Sequence, residues 1–168
     1  AIDLGCGSGA GGISLADRVE RCLFADINPR ALELCQVNAE LAGVRAQCAQ
    51  SDLLRDVAGQ FDLILANPPY MRDDRRRVYR DGGGAHGEAL SVRIVEQALA
   101  HLCPGGTLIV YTGSAIVGGQ DCFERAVMPL LRARSLRADY EELDPDVFGE
   151  ELERPGYEDV ERIAAVGL

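Results

Sequence analysis

The tetrapeptide Asn67-Pro68-Pro69-Tyr70 directly follows the apolar run Phe61–Ala66, and its residue types suit one kind of chemistry. An amide nitrogen is a poor nucleophile because its lone pair is delocalised into the carbonyl. A site that alkylates such a nitrogen must hold the NH₂ group in line with an electrophilic carbon and accept hydrogen bonds from its protons. The Asn67 side-chain oxygen and the Pro68 backbone carbonyl are candidate acceptors, and the fixed φ of proline makes the direction of that carbonyl rigid. The Tyr70 ring is suited to covering a planar group. Asn67 is neutral and cannot act as a strong base, so catalysis here would rest on positioning and preorganised dipoles. Asn-Pro and Pro-Pro also mark loops, so a rigid turn leaving the strand is the alternative reading.

A second group of residues suits a nucleoside cofactor. Asp3-Leu4-Gly5-Cys6-Gly7-Ser8-Gly9 lies between an apolar start and an amphipathic stretch, and its glycines allow a sharp turn with close backbone approach to a ligand. The spacing is Gly-x-Gly-x-Gly, whereas the dinucleotide fingerprint is Gly-x-Gly-x-x-Gly; Gly12 would restore the latter only by a change of register. Asp26 stands roughly 20 residues beyond the loop, where an acid grips ribose hydroxyls; a helix-capping aspartate is the alternative. Asp52 could accept from an adenine amino group while Leu53 packs on the ring, or could be a turn residue.

Alternating strands and helices must position these groups. The pattern predicts strands at 1–4, 21–26, 45–49 and 61–66, with a helix over 13–19 and another from Pro29 to about Leu41. Asn28 would cap the second helix and Gly43 stop it; Leu32, Leu34, Cys35, Val37, Asn38 and Leu41 would mark its packed face and borders. The run 61–66 reads as a strand buried on both faces. A helix over 88–102 should end at Pro104-Gly105-Gly106 before a strand at 107–112. A helix over 121–134 contains Met128-Pro129, which predicts a kink or early break. Strands at 136–143 and 162–168 would close the fold around an acidic loop. The βαβα order predicts an α/β fold with a mostly parallel sheet, helices on both faces and ligands beyond the carboxyl ends of the strands.

At 168 residues the chain fits one domain. Because residues 1–4 already read as the end of a strand, a preceding N-terminal piece is expected. The six cysteines are scattered without a Cys-x-x-Cys pair, and His86 and His101 have no ligand spacing. Reduced core thiols in a cytoplasmic protein are therefore expected, with no metal. No apolar run approaches the ~20 residues that cross a bilayer, so no membrane partner is expected. No feature sets an oligomeric state. All 17 basic residues are arginines and the net charge is −10, with 11 acids against 2 arginines over 139–168. That balance argues against a general nucleic-acid footprint. The loop 71–87 concentrates Arg72, Arg75, Arg76, Arg77 and Arg80 and reads equally as a substrate clamp or a solvated loop. Thr112-Gly113-Ser114 reads as a turn ending the fifth strand. The acidic loop 144–161 should leave the sixth strand on the same edge, pairing with the arginine loop and repelling polyphosphate, while Phe148 and Tyr157 pack on the body.

Together these residues make the chain resemble the class I S-adenosylmethionine (SAM)-dependent methyltransferases with a small methyltransferase domain, especially the release-factor glutamine methyltransferases. The likeness rests on Asp3–Gly9, Asp26 with Asn28-Pro29, Asp52-Leu53, Asn67–Tyr70 and the Gly-rich segment Asp81–Gly84. It implies a Rossmann-like seven-stranded sheet with an antiparallel last strand and SAM as cofactor. The cofactor set it implies is Asp3, Gly5, Cys6, Gly7, Gly9, Asp26, Ile27, Asp52, Leu53 and Asn67; the catalytic set is Asn67, Pro68, Pro69 and Tyr70. The motif is specific for amide or amino nitrogen and is shared by relatives that methylate nucleobases. The helical N-terminal domain of the glutamine enzymes is not among these residues, and the closing segment is more acidic than the resemblance predicts. A protein glutamine is the leading acceptor, ahead of an exocyclic base amine in RNA or DNA. A catalytically silent SAM-binding module and, more distantly, an NAD-dependent oxidoreductase are the other readings.

Overall fold

The computed structural model describes residues 1–168. The chain folds as two compact units, one of residues 1–67 with 97–109 and the other of residues 68–96 with 110–168.

In the first unit, β1 (Ile2–Leu4) lies between β2 (Leu23–Asp26) and β4 (Phe61–Ala66), parallel to both, and β3 (Gln47–Gln50) runs parallel to β2. The strand order is β3-β2-β1-β4, followed by β5 (Leu102–Val117). A core of Cys6, Cys22, Phe24, Leu32 and Cys35 fills the space beneath α2 (Pro29–Leu41). Burying a side chain of the size of Phe24, which is 0% exposed, stabilises the fold by about 1.5–3 kcal/mol.

Helix α2 keeps its predicted bounds because its ends are chemically defined. Asn28 accepts the Arg30 N–H at 3.1 Å and Pro29 opens the first turn. At the other end Gly43 takes a φ of 69°, while the Val44 N–H reaches the Ala39 carbonyl at 2.8 Å and the Gly43 N–H that of Glu40 at 3.0 Å. This is a Schellman stop. The packed face is Leu32, Cys35 and Ala39, whereas Leu34, Val37 and Leu41 are exposed, so the predicted face is narrowed to Leu32 and Cys35 and gains Ala39.

Other boundaries also move. Helix α1 (Ala10–Ser14) starts directly after Gly9, earlier than the predicted 13–19, and residues 15–18 form tight turns. Strand β4 has the predicted bounds; Ile64 and Ala66 are buried on one face, whereas Phe61, Leu63 and Leu65 on the other are half-buried, so the expected burial on both faces is only partly met. Helix α3 (Ala89–His101) passes straight into β5, which contains Pro104-Gly105-Gly106 within its length. A Cβ on Gly106 would lie 2.9 Å from the Phe61 carbonyl oxygen. The glycine there permits close strand approach and does not end the strand.

In the second unit β8 (Arg162–Gly167) runs antiparallel to both β5 and β7 (Glu141–Asp144). This is the expected reversed last strand. A two-residue strand, β6 (Gln120–Asp121), folds back on β5 through Gly118-Gly119 and adds to the seven strands foreseen. Thr112, Gly113 and Ser114 lie buried inside β5, not in a turn. Helix α4 (Cys122–Ala133) is capped by Asp121 and runs through Pro129 without the predicted break. The unit packs around Met71, Ala115, Cys122, Tyr157, Val160 and Ile163. The whole is an α/β Rossmann-like methyltransferase fold, parallel in its first strands and antiparallel in its last.

Candidate active site

Register brings the cofactor candidates of the first unit to one edge. Leu4 pairs with Ala25 and with Ala66, and Ala25 pairs with Ala49. The next residues are therefore level: Gly5 after β1, Asp26 ending β2, Gln50 ending β3 and Asn67 after β4. In a parallel sheet this carboxyl edge is where ligands bind.

The glycine loop is braced from several sides. Gly5, Gly7 and Gly9 have φ values of 69°, 52° and 86°, in the left-handed region that favours glycine. A Cβ on Gly5 or Gly7 would meet only open space, whereas one on Gly9 would fall 2.6 Å from the Cys35 sulfur. The first two glycines thus offer bare backbone for a ligand, and the third lets the loop pack on α2. Asp3 is buried, and its Oδ2 accepts the Gly12 N–H at 2.7 Å. Burial pushes its carboxyl pKa up, against the lowering effect of that hydrogen bond. Asp3 therefore ties β1 to the start of α1 from beneath the loop. Cys6 is also buried, its thiol pushed up by desolvation. Asn38 of α2 donates to the Ser8 carbonyl at 2.9 Å. This brace was not assigned from sequence, where Asn38 marked only a helix border.

Asp26 lies at the centre of the edge. Its Oδ2 accepts the Gly7 N–H at 2.9 Å and its Oδ1 the Asn28 N–H at 2.8 Å. The α2 cap is Asn28, so Asp26 does not fill the capping role. The loop after β3 is tied to the same place: the Ser51 N–H donates to the Asp26 carbonyl at 3.0 Å, and the Gln50 side chain donates to the Ile27 carbonyl at 3.3 Å. Asp52 and Leu53 follow, and Leu53 has a φ of 55°. Such a conformation costs a side-chain-bearing residue about 1–3 kcal/mol and concentrates at functional sites. Ile27 holds its apolar side chain half in solvent, at 48% exposure. A bare-backbone cradle, a carboxylate and two apolar side chains on one edge fit a nucleoside cofactor. Asp26 suits the ribose hydroxyls, and Ile27 and Leu53 suit the faces of a base.

Asn67 is exposed at the end of β4, and Pro68 is buried. In the second unit, Tyr70 is fixed by what it touches. Gly113 faces its ring so closely that an added Cβ would lie 2.3 Å from Tyr70 Cδ2, and the Phe148 ring lies 6.2 Å away. Burial, together with the nearby Tyr111, raises the Tyr70 phenol pKa. Phe148 is 45% exposed and Tyr157 is buried.

The arginine loop is an ordered structure with a pinned base. The Gly82 N–H donates to the Met71 carbonyl at 2.8 Å and the Met71 N–H to that of Arg80 at 3.2 Å. Within it Asp73 is buried and receives Arg77 through two side-chain nitrogens, at 2.8 and 2.7 Å. The loop pairs with the acidic loop, as expected from their charges: Arg80 and Arg154 both engage the buried Glu151, and His86 Nε2 meets Asp159 Oδ1 at 3.0 Å. Glu151 thus lies beneath arginines and does not act as an outward repellent.

The fold is that of the SAM-dependent methyltransferases. The chain belongs to the methyltransferase small domain family, which residues 1–124 match. Among its relatives, the release factor glutamine methyltransferase of Koribacter versatilis is 33% identical over 68% of this chain and 46% of its own length. The ribosomal RNA small subunit methyltransferase C of Pasteurella multocida is 35% identical over 64% of this chain and 30% of its own length. The solved T. thermophilus 16S rRNA N2 G1207 methyltransferase, in complex with AdoMet and guanosine, superposes with a TM-score of 0.60 at 22% identity. It covers 99% of this chain and 36% of that one, a likeness of fold. The chain spans about half the length of the curated relatives it matches. No helix is long and apolar enough to cross a membrane, and no cluster of side chains suited to a metal ion is present.

Proposed function

We propose that this chain catalyses transfer of a methyl group from SAM to a planar amide or amino nitrogen, with a protein glutamine side chain as the first acceptor. The observation that carries the reading is the shared edge of the first unit, where Asn67 is level with Gly5 and Asp26. Gly5, Gly7, Asp26, Ile27, Asp52 and Leu53 would hold the cofactor, which when bound supplies an electrophilic methyl group. Asn67 Oδ1 and the Pro68 carbonyl accept the two N–H bonds of the acceptor NH₂. This would draw electron density onto the nitrogen and orient its lone pair; as the N–C bond formed, the sulfur–methyl bond would break and the nitrogen would release one proton to solvent. Pro69 keeps the turn rigid, and Tyr70, backed by Gly113, covers the planar group. Both acceptors are uncharged, so rate acceleration comes from orientation and fixed dipoles.

Similarity to glutamine-modifying relatives and the net charge of −10 support a protein acceptor. Similarity to an rRNA methyltransferase supports an exocyclic base amine as the second reading. Incubation of the chain with methyl-labelled SAM and cell extract, followed by protease or nuclease, separates them. Loss of label with protease supports the glutamine reading, and loss with nuclease supports the base amine. SAM binding without any label incorporated would leave a silent binding module and overturn the catalytic proposal.

A further inference from the structure

A strongly basic cavity lies in the segment that follows Tyr70. Arg72, Arg75, Arg77, Arg80 and Arg154 line a space of about 340 Å³. Three carboxylates, Asp73, Asp74 and Glu151, pair with arginines of this set. The wall therefore keeps an excess of positive charge within a chain of net charge −10.

These guanidinium groups are held by a buried frame. Asp73 fixes Arg77, and Glu151 lies between Arg80 and Arg154; both acids are buried. The Tyr157 hydroxyl, on a residue only 2% exposed, accepts the Arg72 backbone N–H at 2.7 Å, and Arg72 Nη1 donates to the Gly156 carbonyl at 3.2 Å. A Cβ on Gly156, whose φ is 91°, would lie 1.8 Å from Arg72 Nη1, so the guanidinium packs directly on bare backbone.

The frame does not consume every donor. A guanidinium has five N–H bonds. Arg154 engages Glu151 through Nε, at 2.9 Å, which leaves its two terminal nitrogens. Arg75 is exposed and belongs to the lining. Planar forks converging from several directions match the oxygens of phosphate better than a single carboxylate does. The volume is near the lower end of small-molecule sites, roughly 300–1,000 Å³, which suits a phosphoryl or diphosphoryl group.

We infer that this cavity binds a phosphate group, carried by a small phosphate compound or by a nucleotide chain. The inference is independent of the methyl-transfer reading, because its readout is anion binding without SAM. Calorimetric titration of the chain with inorganic pyrophosphate at constant ionic strength should show saturable binding. Affinity should fall by about tenfold or more in Arg75→Gln/Arg154→Gln, given the strength of charge-assisted hydrogen bonds, with SAM affinity unchanged. If the double variant melts early, Arg75→Gln alone decides, since its side chain is at the surface, and it too must weaken binding. Binding that is non-saturable, or equal in the variants, overturns the site. So does a phosphate-free glutamate-rich peptide that binds as tightly as pyrophosphate. A short oligouridylate that binds more tightly than pyrophosphate, and is lost in the same variants, assigns the phosphate to a nucleotide chain. Pyrophosphate binding without oligouridylate binding assigns it to a small compound.

Discussion

Asp26 Oδ2 accepts the Gly7 N–H at 2.9 Å across 19 residues of sequence, and this one bond joins the candidate ribose acid to the glycine loop. A single carboxylate thus shapes the loop and, in the proposed function, holds the cofactor. Asp26→Asn keeps the size but replaces one acceptor oxygen with a donor. SAM affinity measured by calorimetry should fall by at least about 1.5–3 kcal/mol, or tenfold and more. The Gly7 amide resonance should shift in the cofactor-free protein. Unchanged affinity would remove Asp26 from the site.

Gly113 and Tyr70 make a second prediction. The added methyl of Gly113→Ala would lie 2.3 Å from Tyr70 Cδ2, so the ring must move. Overpacking of this kind costs about 1–3 kcal/mol, to be read from urea unfolding. Methyl transfer should fall more than SAM affinity, because Gly5, Gly7 and Asp26 are untouched.

The arginine loop should resist acid. The Arg77 side chain hydrogen-bonded to Asp73 holds that carboxyl well below its ordinary value of 3.8. An acid whose folded pKa is depressed adds stability above its unfolded pKa, and that stability is lost as pH falls through the folded value. Asp73 should therefore stay ionised well below pH 3.8, as followed by carboxyl-carbon NMR, provided the fold persists. Arg77→Gln should return the titration toward the ordinary range.

Much of this was legible in the residues, for definite reasons. Helix α2 carries its own cap, first-turn proline and stop glycine, so local chemistry alone sets its limits. Strand β4 is bounded by Gln60 and by Asn67-Pro68, and the candidate site follows because the residues ending successive parallel strands must share an edge. What sequence reasoning misplaced depends on tertiary partners. Gly106 reads as a breaker until the Phe61 carbonyl is seen beside it. Thr112–Ser114 read as a turn, yet β5 continues because β8 pairs with it as far as Ile116. Helix α1 starts early because the buried Asp3 carboxylate receives the Gly12 N–H. The left-handed Leu53 and the Asn38 brace on Ser8, which spans 30 residues, left no local signal. The pairing of the arginine and acidic loops was expected from their charges, but the particular partners Glu151 and Tyr157, far along the chain, were not.

Asn67→Ala tests the central claim most directly, with single-turnover methyl transfer and SAM affinity measured on the same preparation. The account predicts that transfer falls by about a hundredfold or more, as for loss of a preorganised dipole, while SAM affinity changes by less than about threefold. Transfer that persists, or affinity that collapses together with it, would contradict the role given to this side chain.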